Sequence, residues 1–342
     1  MNLKERFMRQ LEGKEVDVTP VGCTTTYAVV EFQEACGCFR PQADTDPQAM
    51  ATMALTGPKQ AGWEWVKAMG WDIVPISEAL GVELGPPTKD TQYYVKGHPY
   101  AENQDSLEFP SDFLSRGRFP VYKEQFRLLK EAVGDDMVIF GESEGCFTAA
   151  ANLVGTEQMM RWLMKEPEKV FRVLEVTKEA AVAAANFAFD QGADYYTFAE
   201  PTSGPALMSP RMYKKFALDV AKEVISRCKG PVCLHICGNA DPIIEMMCET
   251  GAVGISIENQ TDLKRAVEIA NTKNVKVFGN VATATTLFRG TPEECYQESM
   301  AALDNGTHFL CPACGVAPPS PTENLRQLRK ARDDKFGLPY PF

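Results

Sequence analysis

Val232-Cys233-Leu234-His235-Ile236-Cys237-Gly238-Asn239, followed by Pro242 and a helical pattern running to Glu249, is the stretch that decides the fold. A short apolar, β-branched run ends in glycine and asparagine. A proline then opens a helix, at the position where its missing N–H costs nothing. The same unit recurs on either side. Strands are predicted at Met137–Gly141, Asp194–Ala199, Val232–Cys237, Gly254–Ile257, Val275–Gly279 and Thr307–Cys311. Helices are predicted at Glu157–Lys165, Pro210–Arg227, Pro242–Glu249, Asp262–Asn271, Pro292–Asn305 and Pro321–Lys335. Two earlier strands, near Val18–Thr24 and Trp71–Ile76, bring the count to eight. Eight such units predict a single (β/α)8 TIM barrel domain over residues 1–342. A doubly wound sheet is the alternative, but six consecutive regular units favour closure. Residues 25–70 and 77–136 are longer excursions, predicted as N-terminal helices and loops that cap one end of the barrel.

Composition narrows the function. The 46 acidic and 35 basic residues leave a net charge of −11, which argues against nucleic acid and anionic membrane surfaces as partners. No apolar run is long enough to span a bilayer, and the start, Met1-Asn2-Leu3-Lys4-Glu5-Arg6, reads as a charged helix rather than a signal peptide. A cytoplasmic location is expected. Eleven cysteines in such a chain are expected to be reduced, free for packing, metal binding or catalysis. With only three histidines, His98, His235 and His308, a histidine-only metal site is nearly excluded.

In a barrel, reactive groups gather at the C-terminal ends of the strands. His235 and Cys237 sit there, two residues apart, so their side chains share one face of the strand. Imidazole and thiol together near the mouth suit zinc, which takes nitrogen and sulfur ligands and keeps one position open in a catalytic site. A third ligand must come from elsewhere. Cys311 and Cys314, at the end of the last strand, both qualify by spacing. The other cysteines read as packing residues, and His98 and His308 as structural ones. Glu142, Glu144, Glu200 and Glu258 all fall at predicted strand ends, where a carboxylate could complete a zinc shell or act as general acid or base. Glu144 and Glu200 are the candidate catalytic pair.

Three segments, Leu234-His235-Ile236-Cys237-Gly238-Asn239, Cys314-Gly315-Val316-Ala317-Pro318 and Pro321-Thr322-Glu323-Asn324-Leu325, resemble the corrinoid-dependent methyltransferases of the uroporphyrinogen-decarboxylase-like superfamily. The similarity also takes in Arg116-Gly117-Arg118-Phe119-Pro120-Val121, Glu144-Gly145, and Glu200-Pro201 with Leu207-Met208-Ser209-Pro210. The resemblance implies a zinc site on His235, Cys237 and Cys314, selecting Cys314 over Cys311, with Glu144 as a fourth ligand. It also implies a corrinoid (cobalamin) cofactor carried by a partner protein, and a small-molecule methyl donor or acceptor. In that chemistry zinc holds a thiol as thiolate, or polarises an ether oxygen so that an aryloxide can leave. The superfamily's decarboxylases carry arginines after the first strand; here Pro20-Val21-Gly22-Cys23-Thr24-Thr25-Thr26-Tyr27 has none, so porphyrinogen decarboxylation is disfavoured.

The substrate is read from departures and from aromatics. The family's coenzyme M enzymes carry T-Q-T and W-P-E-A-H segments and a lysine near the position of Gln260, none of which stands in this chain. Tyr27, Phe147, Tyr195, Tyr196 and Phe198 lie near strand ends and together would suit a flat aromatic. Tyr27, Phe147, Tyr196, Phe198 and Asn280 are therefore the candidate substrate-binding residues. The expectation leans to O-demethylation of a methoxylated aromatic, with methylation of a thiol such as coenzyme M as the alternative.

Overall fold

The computed structural model describes all 342 residues. Its strands are β1 (Trp65–Lys67), β2 (Leu84–Gly85), β3 (Tyr94–Val95), β4 (Val138–Glu144), β5 (Tyr195–Ala199), β6 (Val232–Ile236), β7 (Gly254–Ile257), β8 (Lys276–Val281) and β9 (Phe309–Pro312). Seven of them form a parallel sheet in the order β1-β4-β5-β6-β7-β8-β9. The segment around Val21 closes the ring. Leu310 N donates to Pro20 O (2.9 Å), Gly22 N to Leu310 O (3.1 Å), and Glu64 N, just before β1, to Val21 O (2.9 Å). The eighth stave of the barrel is thus one bridge long.

The six later strands and their helices fall where the periodicity puts them. The first two staves do not. Val18–Thr24 contributes only the bridge at Val21, and the second stave is Trp65–Lys67 rather than Trp71–Ile76. After β1, Met69 and Gly70 both take positive φ (63° and 78°) and turn the chain out of extended geometry. The Asp72 side chain then accepts from Val74 N, and Pro75 opens the helix Pro75–Ala79, so the apolar run at 71–76 is a turn leading into a helix.

Strand alternation divides the side chains into two sets. Inward-facing Trp65, Val138, Phe140, Tyr195, Cys233, Phe278, Phe309 and Cys311 form a plug with Phe7 and Leu11. Phe7 belongs to the N-terminal helix Leu3–Leu11, which lies across the N-terminal ends of the strands. Its ring meets Trp65, Tyr195 and Phe309 at centroid distances of 5.0, 4.9 and 4.7 Å. Phe278 and Phe309 stack at 4.1 Å. The outward set, including Tyr196, Phe198, Leu234 and Ile236, packs in the larger core between strands and helices.

At the opposite end the expected N-terminal excursions are present as the helices Val30–Cys36 and Pro47–Ala54 and the β2–β3 hairpin. The hairpin loop reaches back over the mouth, where Gln92 Nε2 donates to Thr26 Oγ1 (3.2 Å). Next to it Tyr93 lies under the Arg118 guanidinium (4.3 Å), and Arg118 in turn is held by Asp72 and Glu78. No helix is long and apolar enough to cross a membrane.

Candidate metal centre

His235 is the fourth residue of β6, and its inward direction follows from the alternation that also places Cys233 in the plug. Its register partners are Ala199 on β5 and Ser256 on β7. The Nδ1 atom lies 3.0 Å from Ser256 Oγ, which leaves Nε2 pointing at the cavity, 3.2 Å from Cys237 Sγ. Cys237 follows the strand, and Gly238 after it takes φ 78°, a left-handed turn that suits glycine. Cys314 comes from the loop after β9 and sets its Sγ 3.6 Å from that of Cys237. The three donor atoms of His235, Cys237 and Cys314 lie within 4.8 Å of one another. Cys311 is elsewhere, fully buried in the plug.

The electrostatics of the cluster are those of thiols sharing charge. The hydrogen bond with Cys237 holds Cys314 well below the usual thiol range despite its burial, and the neighbouring His235 adds to this. The same hydrogen bond, with burial, pushes Cys237 up. Burial opposes charging of His235, but Cys314 and the nearby carboxylates of Glu142 and Glu258 outweigh it and raise its pKa.

The cluster borders a cavity of about 200 Å³ whose other lining residues are Thr25, Thr26, Ile73, Gln92, Glu142, Ala199, Pro201 and Gly315. Glu142, inward-facing on β4, is the one carboxylate of that lining. Its Oε2 lies 2.9 Å from the Lys67 ammonium of β1, and both side chains are at most 1 % exposed. Burial raises the Glu142 pKa even against the opposing Lys67 charge. Sequence reasoning placed Glu142 among four strand-end glutamates and missed Lys67, which sits in a strand of three residues with no motif around it.

The carboxylates singled out from sequence are engaged elsewhere. Glu144 does not join the metal cluster. Its oxygens accept from Ser77 N (2.7 Å) and Ile76 N (3.3 Å) at the start of the helix Pro75–Ala79, and burial raises its pKa to about 8. Glu200 accepts from Phe147 N, Thr148 N and Thr148 Oγ1, all at 2.9 Å, and so caps the helix Cys146–Val154; burial raises it to about 7. Both are helix N-terminal acceptors, a role that backbone amides and the helix dipole favour. Glu258 accepts from Gly238 N and braces the turn after Cys237.

The aromatic set does not line the cavity either. Tyr196 and Phe198 occupy alternate positions of β5 from the inward-facing Tyr195 and Ala199, so they point to the helices and pack on each other at 5.0 Å. Tyr27 is buried edge-on against Trp63 and Trp71, its hydroxyl donating to Ala54 O and accepting from Lys67 N. Phe147 is buried in the helix that Glu200 caps. The Asn280 side chain donates to Glu258 O and Thr261 O, tying down the loop after β7. His98 and His308 bind backbone and side-chain partners outside the barrel interior.

The chain carries an imidazole and two thiols at a barrel mouth, and its sequence matches the uroporphyrinogen decarboxylase (URO-D) family model over residues 2–334. It belongs to the uroporphyrinogen decarboxylase family. Within that family its relatives are methyltransferases. It is 33% identical to the methylcobamide:CoM methyltransferase MtaA of Methanosarcina barkeri, covering 98% of each chain, and 32% identical to MtbA of Methanosarcina acetivorans, covering 95% and 96%. A methyltransferase structure from Methanosarcina mazei superposes with a TM-score of 0.95 at 34% identity, over 98% of this chain and 99% of that one. The uroporphyrinogen decarboxylase family member described here is an enzyme of that methyltransferase group. A B12-independent methionine synthase from Shewanella sp. W3-18-1 shares the fold, with a TM-score of 0.60 at 14% identity over 94% of this chain and all of that one.

Proposed function

We propose that this chain transfers a methyl group between corrinoid-bound cobalt and a small thiol, with zinc held by His235, Cys237 and Cys314. One observation carries the reading: one imidazole nitrogen and two thiol sulfurs converge within 4.8 Å at the wall of a small cavity. That donor set fits zinc, with a position left for substrate. Zinc bound there would keep an incoming thiol as a nucleophilic thiolate near neutral pH.

The protein's own groups supply the rest. Ser256, against Nδ1, orients the His235 ring and turns Nε2 to the cavity. Cys237 and Cys314 already stand 3.6 Å apart and hydrogen-bonded, so the two sulfurs are placed together for one ion. Lys67 offsets the Glu142 charge beside the cluster. Thr25, Thr26 and Gln92 offer neutral donors and acceptors for the substrate's tail, while Ile73, Ala199 and Pro201 make the apolar side of the wall. A cavity of about 200 Å³ takes a thiol but no corrinoid, so the cobalt would meet the thiol at the mouth, free or carried by a partner protein.

A thiol is favoured over a methoxylated aromatic on two grounds. No aromatic ring lines the cavity, and the relatives, including a methylated-thiol:coenzyme M methyltransferase of Methanosarcina mazei at 25% identity, are named for thiol substrates. The test is a metal analysis joined to an assay with free methylcobalamin, thiols and, in reverse, cob(I)alamin with methoxylated phenols. One zinc per chain and loss of the methyl–cobalt absorbance with thiols are expected. Metal-free protein of full activity, or demethylation of the phenols with no thiol methylated, would overturn the reading.

A further inference from the structure

A second concavity lies on the same end of the barrel as the metal cluster. The helical stretch from Pro210 to Ser226 follows β5 and leads down to β6, so its N-terminal end stands at the C-terminal ends of the strands. Likewise the helix Pro167–Asp190 runs down to β5, so the end of the preceding helix, Thr156–Lys165, stands at that mouth. Between these two ends is a groove of about 420 Å³, floored by Leu163, Met212 and Phe216 and edged by Met164, Arg211 and Lys215. Pro201 of the cavity over the cluster and Ser209 of the groove belong to one connection after β5, so both concavities open at the same end of the barrel.

Three features of this groove bear on what it binds. Large apolar side chains stand exposed at it: Met164 of its edge is 72% exposed, and Phe171, whose ring lies 5.8 Å from that of Phe216 in the floor, is 42% exposed. A cluster of this kind at a rim marks a contact site more often than scattered apolar residues do. The cations beside it, Lys165, Arg211, Lys214 and Lys215, are exposed and make no ion pair, in a chain that carries a net charge of −11. On the helices Thr156–Lys165 and Pro167–Asp190 other cations are paired, as Arg161 is with Glu157 and Lys178 with Glu175 and Glu223. The helix also widens to a π turn over Tyr213–Ala217, the part that presents Lys214 and Lys215; such turns recur at functional sites.

We infer that the groove between Met164 and Arg211–Lys215 is the seat of the corrinoid-carrying partner, engaged through an acidic patch and an apolar side chain of that partner. The inference rests on the methyl-transfer reading above, in which the cobalt meets the thiol at this mouth. Four unpaired cations on one rim of an otherwise acidic protein steer an acidic surface to that rim. The apolar floor supplies the dry contact that steering alone lacks.

The experiment compares two methyl donors: free methylcobalamin, which needs no docking, and the methylated corrinoid protein of the source cells, purified by its cobalt absorbance. The variants are the exposed double substitution Arg211→Glu/Lys215→Glu and, separately, Met164→Ser. Both are expected to keep the wild-type rate with free methylcobalamin to within about twofold. With the corrinoid protein, kcat/KM is expected to fall at least tenfold in the charge-reversed variant, with a weaker salt dependence. Met164→Ser is expected to raise KM and leave the salt dependence alone. Unchanged kcat/KM for the corrinoid protein in both variants overturns the inference, as does an equal loss with both donors. A wild-type protein inert toward both donors overturns the methyl-transfer reading itself.

Discussion

Replacing Lys67 by methionine isolates the one ion pair inside the barrel that touches the cavity. The substitution preserves the volume of the stem and removes the ammonium 2.9 Å from Glu142, leaving a carboxylate that is 1 % exposed with no counter-charge. Breaking one side of such a buried pair costs about 3–5 kcal/mol. Unfolding entropy near 60 °C is about 2.1 cal/mol/K per residue. Over 342 residues that is about 0.7 kcal/mol/K, so the midpoint should drop by about 4–7 °C near pH 8. The sign of the pH dependence follows from the raised pKa of Glu142. A carboxyl with a raised native pKa favours its protonated form in the folded chain. Its contribution is whole below the ordinary carboxylate value and is lost as pH rises toward the native one. Without Lys67 the native value climbs further, so the deficit of Lys67→Met should open as pH rises from about 5 to 8. Adding Glu142→Gln should close it and flatten the difference. Thermal melts followed by circular dichroism across that range make the measurement. A Lys67→Met midpoint within a degree of wild type at pH 8, or a deficit independent of pH, would refute the reasoning.

Substituting Ser256 by alanine removes the partner of His235 Nδ1 and should weaken zinc about 10- to 100-fold, read by competition with a chromogenic chelator; unchanged affinity would mean the serine does not orient the ring. Cys237→Ala and Cys314→Ala should each leave less than one zinc per chain and, with methylcobalamin and thiol, a flat cobalt absorbance trace. Glu200→Gln should behave as a helix-cap change rather than a catalytic one, with kcat within about threefold of wild type. Its native pKa of about 7 lies above the ordinary carboxylate value, so its share of stability is lost as pH rises from about 4.5 to 7, and Glu200→Gln should decline less than wild type over that range. Melts at three pH values separate the two, and loss of turnover in a stable Glu200→Gln protein would return the residue to the chemistry.

The later staves were legible because each has a β-branched run, a polar end and a proline-led or capped helix behind it. Val18–Thr24 and Trp71–Ile76 misled for opposite reasons. The first pairs through one bridge at Val21, and closure of the ring there is a tertiary event with no local signal. The second is apolar but bent by Met69, Gly70 and Pro75. The side-chain period of two located His235 and Cys237; the same rule applied to β5 would have turned Tyr196 and Phe198 away from the mouth, since Tyr195 and Ala199 face in. Glu144 and Glu200 were visible as strand-end carboxylates, but the amides they cap lie on other segments, at Ser77 and Phe147. Lys67 was invisible for the same reason: its partner is 75 residues away and its own strand is three residues long.

The aromatic plug under the barrel has a kinetic meaning. With Phe7, Tyr195, Phe278 and Phe309 packed ring against ring across the N-terminal end, the interior is a vessel with one doorway. In the proposed reaction, thiol, methylated product and cobalt would all use it. A carrier protein resting on that doorway would shut in whatever is inside, so the small reactant would have to enter before it and the product would wait for it to lift. Turnover would then be capped by how fast the carrier lets go, and a carrier that clung more tightly would make a slower enzyme.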